Sequence, residues 1–208
     1  PFIHSIVVDQ RDSKHVFVAV SCAGIFETRD GGITWNPKNS GLIATYLPNP
    51  NVEVGHDPHL LLACKKKPDV LWQQNHCGIF RSVDAGDNWQ NISDKNGIAD
   101  YGFALAIDHE NEDRAWVIPV VSDEVRVAHD LSLTVCRTED AGQNWESLKN
   151  GLPQENSFDI VFRHCLAISK NELVFGTTTG NLFYSENAGD DWICLSNNLA
   201  RVEGVIFG

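Results

Sequence analysis

The sequence predicts an all-β chain built from four four-stranded antiparallel sheets, and three observations carry that prediction. One eight-residue pattern occurs four times: Thr28-Arg29-Asp30-Gly31-Gly32-Ile33-Thr34-Trp35, Ser82-Val83-Asp84-Ala85-Gly86-Asp87-Asn88-Trp89, Thr138-Glu139-Asp140-Ala141-Gly142-Gln143-Asn144-Trp145 and Ser185-Glu186-Asn187-Ala188-Gly189-Asp190-Asp191-Trp192. Its tryptophans lie 54, 56 and 47 residues apart (89−35, 145−89, 192−145), a period that marks one supersecondary unit used repeatedly. Each copy follows a short apolar segment, Gly24-Ile25-Phe26, Gly78-Ile79-Phe80, Thr134-Val135-Cys136 or Asn181-Leu182-Phe183, and leads into a second segment headed by the Trp. Strand, turn, strand is a hairpin.

The recurring residue types suit a turn. A Ser or Thr hydroxyl and the side chain of Asp30, Asp84, Asp140 or Asn187 accept local backbone N–H groups that the bend takes out of the ladder. The Gly at the fifth position permits φ > 0, which a Cβ opposes. Trp35, Trp89, Trp145 and Trp192 supply a large apolar cover whose ring N–H still needs a partner. Nothing in this pattern demands a reacting group, so its residues are read as structural.

In chain order, the first unit (about 1–40) takes Ile3–Asp9, His15–Ser21, Gly24–Thr28 and Trp35–Asn39 as strands. Gly41–Pro58, with its prolines, is a long excursion. The second unit (59–93) takes Leu60–Ala63, Val70–Gln74, Gly78–Ser82 and Trp89–Ile92. The third (103–149) takes Ala104–Asp108, Ala115–Val120, Thr134–Thr138 and Trp145–Leu148, with a long acidic connection at Val121–Leu131. The fourth (164–196) takes Cys165–Ser169, Leu173–Thr177, Leu182–Ser185 and Trp192–Leu195, and residues 202–207 read as one further strand. Four antiparallel strands in about 40 residues make a propeller blade, so the expected fold is a β-propeller of four blades over residues 1–208, a single domain or part of one. No helix of convincing length and no internal domain boundary is read.

Composition narrows the function classes. A formal net charge of −12 argues against nucleic acid and against anionic membranes, both of which need clustered Lys and Arg. No apolar run reaches the ~18 residues of a membrane helix. The one basic run, Lys65-Lys66-Lys67 before Pro68, reads as an exposed turn. Six cysteines form no Cys-x-x-Cys pair and mostly lie beside apolar strand patterns, which favours buried free thiols and a reducing compartment such as the cytoplasm. With no methionine and a strand-like start, the residues are expected to belong to a longer reading frame.

The four boxes resemble the Asp-box, or BNR, repeats of sialidases, sortilin-type receptors and photosystem II assembly factors. Glu53-Val54-Gly55-His56-Asp57-Pro58-His59, Leu71–Ser82 and Asn150-Gly151-Leu152-Pro153-Gln154-Glu155 carry a closer resemblance, to the C-terminal part of bacterial BNR-repeat proteins labelled glycosyl hydrolase or sialidase-like. The resemblance implies a propeller of about seven blades, of which this chain is an arc. An arc leaves blade faces uncovered and favours self-association.

Propeller geometry sorts the loops. Connections between blades, and between a blade's second and third strands, share one face; the box turns share the other. The first group collects Gly55–His59, Gln73–Cys77, Asp100–Gly102, Ser122–Arg126, Gln154–Asn156, Arg163-His164 and Thr177–Thr179. Three readings follow. In the first, His56, His59 and His76, with Asp57, Glu124 or Glu155 nearby, hold a divalent metal or a polar ligand, since imidazoles with a carboxylate suit zinc and other transition metals; the alternative is that His56 and Asp57 only cap a turn. In the second, two of Asp57, Asp123, Glu124 and Glu155 supply a carboxylate pair for glycoside hydrolysis. Sialidases use a Tyr nucleophile, an activating Glu and an arginine cluster instead. Here the tyrosines are Tyr46, Tyr101 and Tyr184, no Phe-Arg-Ile-Pro segment occurs, and Arg29, Arg81 and Arg137 belong to the box hairpins. In the third, the chain is a scaffold that binds a carbohydrate or a protein without chemistry. No Ser lies in a nucleophile elbow and the glycines form no phosphate loop. The expected role is therefore binding, with the ligand on the face carrying His56, Asp57, His59, Asn75 and His76.

Overall fold

The computed structural model describes residues 2–208; Pro1, which the predicted first blade includes, lies outside the described residues. The fold is all-β and propeller-type, with four four-stranded antiparallel sheets, each taking its strands in sequence order. Blade one holds β1 (Ile3–Val8), β2 (Val16–Val20), β3 (Gly24–Thr28) and β4 (Asn36–Pro37), and blade two holds β5 (Pro58–Ala63), β6 (Leu71–Asn75), β7 (Gly78–Ser82) and β8 (Gln90–Asn91). Blade three holds β9 (Gly102–Ile107), β10 (Ala115–Pro119), β11 (Val135–Thr138) and β12 (Glu146–Leu148), and blade four holds β13 (Leu166–Ser169), β14 (Glu172–Gly176), β15 (Leu182–Ser185) and β16 (Ile193–Ser196). The outermost strands are short and begin one residue after the box Trp. Among the described residues the only helices are three-residue 3-10 turns at His129–Leu131 and Arg163–Cys165.

Each box is a closed local network. The hydroxyl at the first position accepts the N–H of the fifth-position Gly at 2.9 Å in every copy: Thr28 from Gly32, Ser82 from Gly86, Thr138 from Gly142, Ser185 from Gly189. The third residue accepts the N–H of the seventh: Asp30 from Thr34, Asp84 from Asn88 and Asp140 from Asn144 at 2.9 Å, Asn187 from Asp191 at 3.0 Å. The Thr34 hydroxyl and the Asn144 side-chain amide, which donate to Asp30 and Asp140 at 2.6 Å, are the largest cause of those carboxyls lying below the ordinary carboxylate range, and the backbone bonds add to it. The fifth-position glycines have positive φ as expected. So do the residues just before them: Gly31 (76°), Ala85 (56°), Ala141 (63°) and Ala188 (61°), so each turn takes two successive left-handed residues.

The chain divides into two compact units. The first runs through Ser93 and includes His109–Glu112; the second comprises Asp94–Asp108 and Asp113–Gly208. In the first, blades one and two close on Phe17, Ala19, Ile25 and Leu42 against Leu61, Leu71, Phe80 and Trp89. In the second, blades three and four close on Trp116, Ile118, Val135 and Leu152 against Leu166, Leu173, Phe175, Phe183 and Trp192. Two glycines make the box tryptophans fit. A Cβ on Gly41 would stand 2.2 Å from the Trp89 carbonyl oxygen, and one on Gly151 would stand 1.9 Å from that of Trp192.

Two expectations need correction. Residues 202–207 form no strand. Val202 donates to Thr177 O at 3.1 Å and Val205 to His164 O at 2.9 Å, isolated bonds that extend the segment without building a ladder. The thiols are all free, but only Cys64, Cys136 and Cys165 are buried; Cys77 is half-buried and Cys22 and Cys194 are exposed. Burial pushes the Cys136 thiol up to about 12 and raises that of Cys165, so both are inert.

Candidate functional site

Asp57, His59 and His76 converge in the first unit, at the start of β5 and in the two-residue turn between β6 and β7. One potential ligand atom from each lies within 4.8 Å of the others. Asp57 Oδ2 is 3.8 Å from His59 Nε2 and 3.7 Å from His76 Nδ1. The imidazole rings stand edge to face with centroids 5.8 Å apart.

The backbone explains the convergence. The β5–β6 register shifts between Pro58 and Leu60, which makes His59 the bulged residue, and a bulge re-aims its side chain. Asn75 pairs with Gly78 to close the β6–β7 turn, and His76 N–H donates to Asp57 O at 2.9 Å, pinning the turn to the β5 entry. The same entry is tied to blade one: Ala23 bridges His56, Gly55 N–H donates to Ala23 O at 2.9 Å, and Cys22 N–H donates to Asp57 Oδ1 at 3.1 Å. One carboxylate oxygen is thus held by the backbone while the other faces the two imidazoles. Tyr46 closes a side of the cluster, its ring edge-on to His76 with centroids 4.9 Å apart and its hydroxyl donating to Gly55 O at 2.7 Å. Burial first, and then the charge of Asp57, raise the Tyr46 phenol well above its ordinary range.

The other expected site residues divide. His56 is buried but turned away: its Nε2 meets Val52 O at 2.8 Å, so that nitrogen carries the proton, and Nδ1 is buried without a partner. Asn75 is buried and structural, donating to Gln73 Oε1 at 3.0 Å and accepting from Cys77 N–H at 3.1 Å. Glu124 and Glu155 belong to the second unit and are exposed; Glu124 accepts from Ser122 Oγ at 3.0 Å. Trp35, Asp30 and their counterparts lie in the box turns. Each tyrosine hydroxyl is a donor: Tyr46 to Gly55 O, Tyr101 to Asp123 at 3.1 Å, Tyr184 to Glu172. A groove of about 690 Å³ lined by Asn39, Gly41, Leu42, Asn51 and Glu53 also lies in the first unit, and none of Asp57, His59 and His76 lines it. The bulge at His59 and the support from Cys22 and Tyr46 leave no mark in residue spacing; only the loop-sorting rule pointed to this corner.

Two imidazoles and one carboxylate make a donor set that suits zinc, or a facial site for another transition metal. Metal–ligand bonds of about 2.0–2.2 Å place ligand atoms about 3–3.5 Å apart, so the two Asp57–imidazole separations need to close by about half an ångström and the imidazole pair, which lies within 4.8 Å, has to close as well.

No protein-family model and no curated protein matches the sequence. Solved structures do share its fold. The GH74 xyloglucanase from Xanthomonas campestris aligns with TM-score 0.65 at 15% identity, covering 92% of this chain and 29% of that one. YCF48 from Cyanidioschyzon merolae aligns with TM-score 0.63 at 16% identity, covering 99% of this chain and 59% of that one. The extracellular domain of a putative one component system from B. thetaiotaomicron aligns with TM-score 0.58 at 9% identity, covering 97% and 24%. This chain therefore spans less than two thirds of each. At these identities the likeness is one of fold.

Proposed function

We propose that this chain is a noncatalytic binding propeller whose ligand site is a divalent transition-metal centre formed by Asp57, His59 and His76. The observation that supports the reading is the approach of both imidazoles to the same Asp57 oxygen, at 3.8 and 3.7 Å, while Cys22 N–H holds the other oxygen. Three protein ligands leave coordination positions open. A metal held this way recruits an oxygen- or nitrogen-bearing group of a carbohydrate or a protein and orients it on a rigid blade edge.

Glycoside hydrolysis is the competing class, and a xyloglucanase is among the proteins of similar fold. Retaining or inverting chemistry usually needs two carboxylates about 5–10 Å apart. The cluster contains one carboxylate, Asp57, and the neighbouring phenol of Tyr46 is raised and donates to a carbonyl, the opposite of an activated nucleophile.

The test is elemental analysis of the purified chain with calorimetric titration of Zn²⁺ and Ni²⁺. Expected is one metal per chain, lost in the half-buried His76→Ala with the melting profile of the apo chain retained, and lost also in His59→Gln, whose folding is checked separately because His59 is buried. Absence of binding by the wild-type chain, or binding that survives both substitutions, overturns the reading.

A further inference from the structure

Two Asn-Gly pairs occur in the sequence, Asn96-Gly97 and Asn150-Gly151, and both lie in the second unit. In such a pair the backbone nitrogen after the asparagine can attack the asparagine side chain, because glycine has no Cβ to screen that nitrogen. The attack closes a five-membered ring within one chain, so no encounter between partners is needed. It does require the Asn Cα–C bond to turn until the glycine nitrogen faces the side-chain Cγ. The hydrogen bonds on each pair therefore decide which of them reacts.

Asn150-Gly151 is locked into the seam between blades three and four. Asn150 O accepts Trp192 N–H at 2.9 Å, and Leu152 N–H donates to Lys149 O at 3.0 Å across the pair. Gly151 takes a φ of +82° and lies against the Trp192 backbone, where a Cβ would stand 1.9 Å from the carbonyl oxygen. Turning Asn150 breaks the Trp192 bond and drives Gly151 off the neighbouring blade.

Asn96-Gly97 carries none of these restraints. Lys95, Asn96 and Gly97 are exposed. Among the described residues the Asn96 side-chain amide, the Asn96 carbonyl and the Gly97 N–H have no hydrogen-bond partner. Restraint falls on the base of the loop instead: Asn96 N–H donates to Asp94 Oδ1 at 3.0 Å, and Asp94 N–H donates to Ala99 O at 2.8 Å. A Cβ on residue 97 would stand 2.0 Å from Asp94 Oδ2, so the position excludes a side chain while that carboxylate is in place. The loop is held at its base, and the Asn96–Gly97 peptide turns at its exposed tip.

We propose that Asn96 is a self-modification site, which loses its amide with water as the only co-reactant. A solvent base takes the Gly97 N–H proton, and the nitrogen attacks Asn96 Cγ. The N–Cγ bond forms, the Cγ–Nδ2 bond breaks, and ammonia leaves carrying the proton. The resulting succinimide takes up one water. Opening at the Cγ–N bond gives aspartate at position 96. Opening at the bond between the Asn96 carbonyl carbon and the nitrogen gives isoaspartate, with the chain running through the former side chain. No atom is oxidised or reduced. Either product sets a new carboxylate beside Asp94 and makes the formal net charge of −12 more negative by one. Isoaspartate also adds a methylene to the loop that the Asp94–Ala99 bond closes.

The test keeps the 208-residue chain folded in mildly alkaline buffer, with a second sample in urea. Ion exchange follows the acidic species and peptide mass mapping locates it. Expected in the folded chain is conversion at residue 96 at least about tenfold faster than at residue 150, with ammonia released and both aspartate and isoaspartate recovered. In urea, where neither pair is restrained, the two rates converge. Asn96→Gln, at an exposed position, keeps the melting profile and abolishes the acidic species, because the longer side chain has to close a larger ring. Equal rates at the two pairs in the folded chain, or an Asn96 amide that survives there while both convert in urea, overturns the proposal. Aspartate recovered without isoaspartate overturns it too, since direct hydrolysis bypasses the ring.

Discussion

Asn187 donates its side-chain amide to Asp191 at 2.9 Å, reversing the second box, where Asn88 donates to Asp84 at 2.9 Å. The fourth box has exchanged the residue types at its third and seventh positions and kept the amide–carboxylate bond. Asn187→Asp alone sets two carboxylates against each other and is expected to cost about 1 kcal/mol, the net worth of one such bond. Asn187→Asp with Asp191→Asn restores the wording of the second box and recovers most of that loss. A double-mutant cycle by urea unfolding measures the coupling; strict additivity would mean that the bond contributes nothing.

Trp89→Ala removes a ring from the first-unit core and is expected to destabilise by about 3–5 kcal/mol. Trp35 is 41% exposed, and Trp35→Ala is expected to change stability by no more than about 0.5 kcal/mol. Thermal and urea melts of the two variants side by side check the contrast; equal losses would contradict the exposure of Trp35.

Gly151→Ala drives a Cβ into the Trp192 carbonyl at a φ of +82°. Backbone strain alone is expected to cost about 1–3 kcal/mol, before the clash is counted. Gly204→Ala, where the new atom would meet nothing closer than 3.7 Å, is the neutral control. Hydrogen exchange of the blade-four amides in both variants shows whether the seam loosens.

How much of this was legible in the sequence follows from the range of each interaction. The hairpins were legible because a box is local: Thr28, Asp30 and Gly32 bond to one another within five residues. The corner holding Asp57, His59 and His76 was legible as a neighbourhood, because strand order alone sends those loops to one end. Which histidine leaves it was not, since that depends on Val52 O capturing His56 and on a bulge at His59. The alternation of Val202–Phe207 misled because a strand needs a neighbour, and no ladder forms beside this one. The division into two units was not read, since no shift in composition marks it.

Acid sensitivity has a named source in the second unit. Burial alone would raise the Asp159 carboxyl, but Thr179, Thr177, Ser157 at 2.8 Å and the Asn181 amide at 2.8 Å outweigh it and hold it below the ordinary range. A carboxyl lowered on folding contributes stability that is present above the unfolded value of about 4 and is lost as pH falls through the folded one. Asp159→Asn is therefore expected to cost about 1–3 kcal/mol at pH 7, with the gap to wild type narrowing below about pH 4. Urea unfolding across that range measures it; a gap independent of pH would assign the loss to packing.

Metal occupancy has its own signature in stability. At a free Zn²⁺ concentration about 100 times the Kd, the folded chain is expected to gain about 2.7 kcal/mol. His76→Ala is expected to lose the gain and keep the apo melting temperature. Unfolding with and without chelator checks both.

Within each unit the second box Trp reaches the neighbouring blade through main-chain carbonyls, Trp89 to Lys38 O and Ser40 O and Trp192 to Asn150 O. A carbonyl is the same whatever side chain its residue bears. The polar half of each seam is therefore indifferent to the side chains of the segment it meets, and a substitution at Lys38, Ser40 or Asn150 leaves the latch in place. What distinguishes one seam from the other is left to the apolar packing of the two blades and to the pair made by the sixth box residue, Asp87 with Lys38 and Asp190 with Arg137.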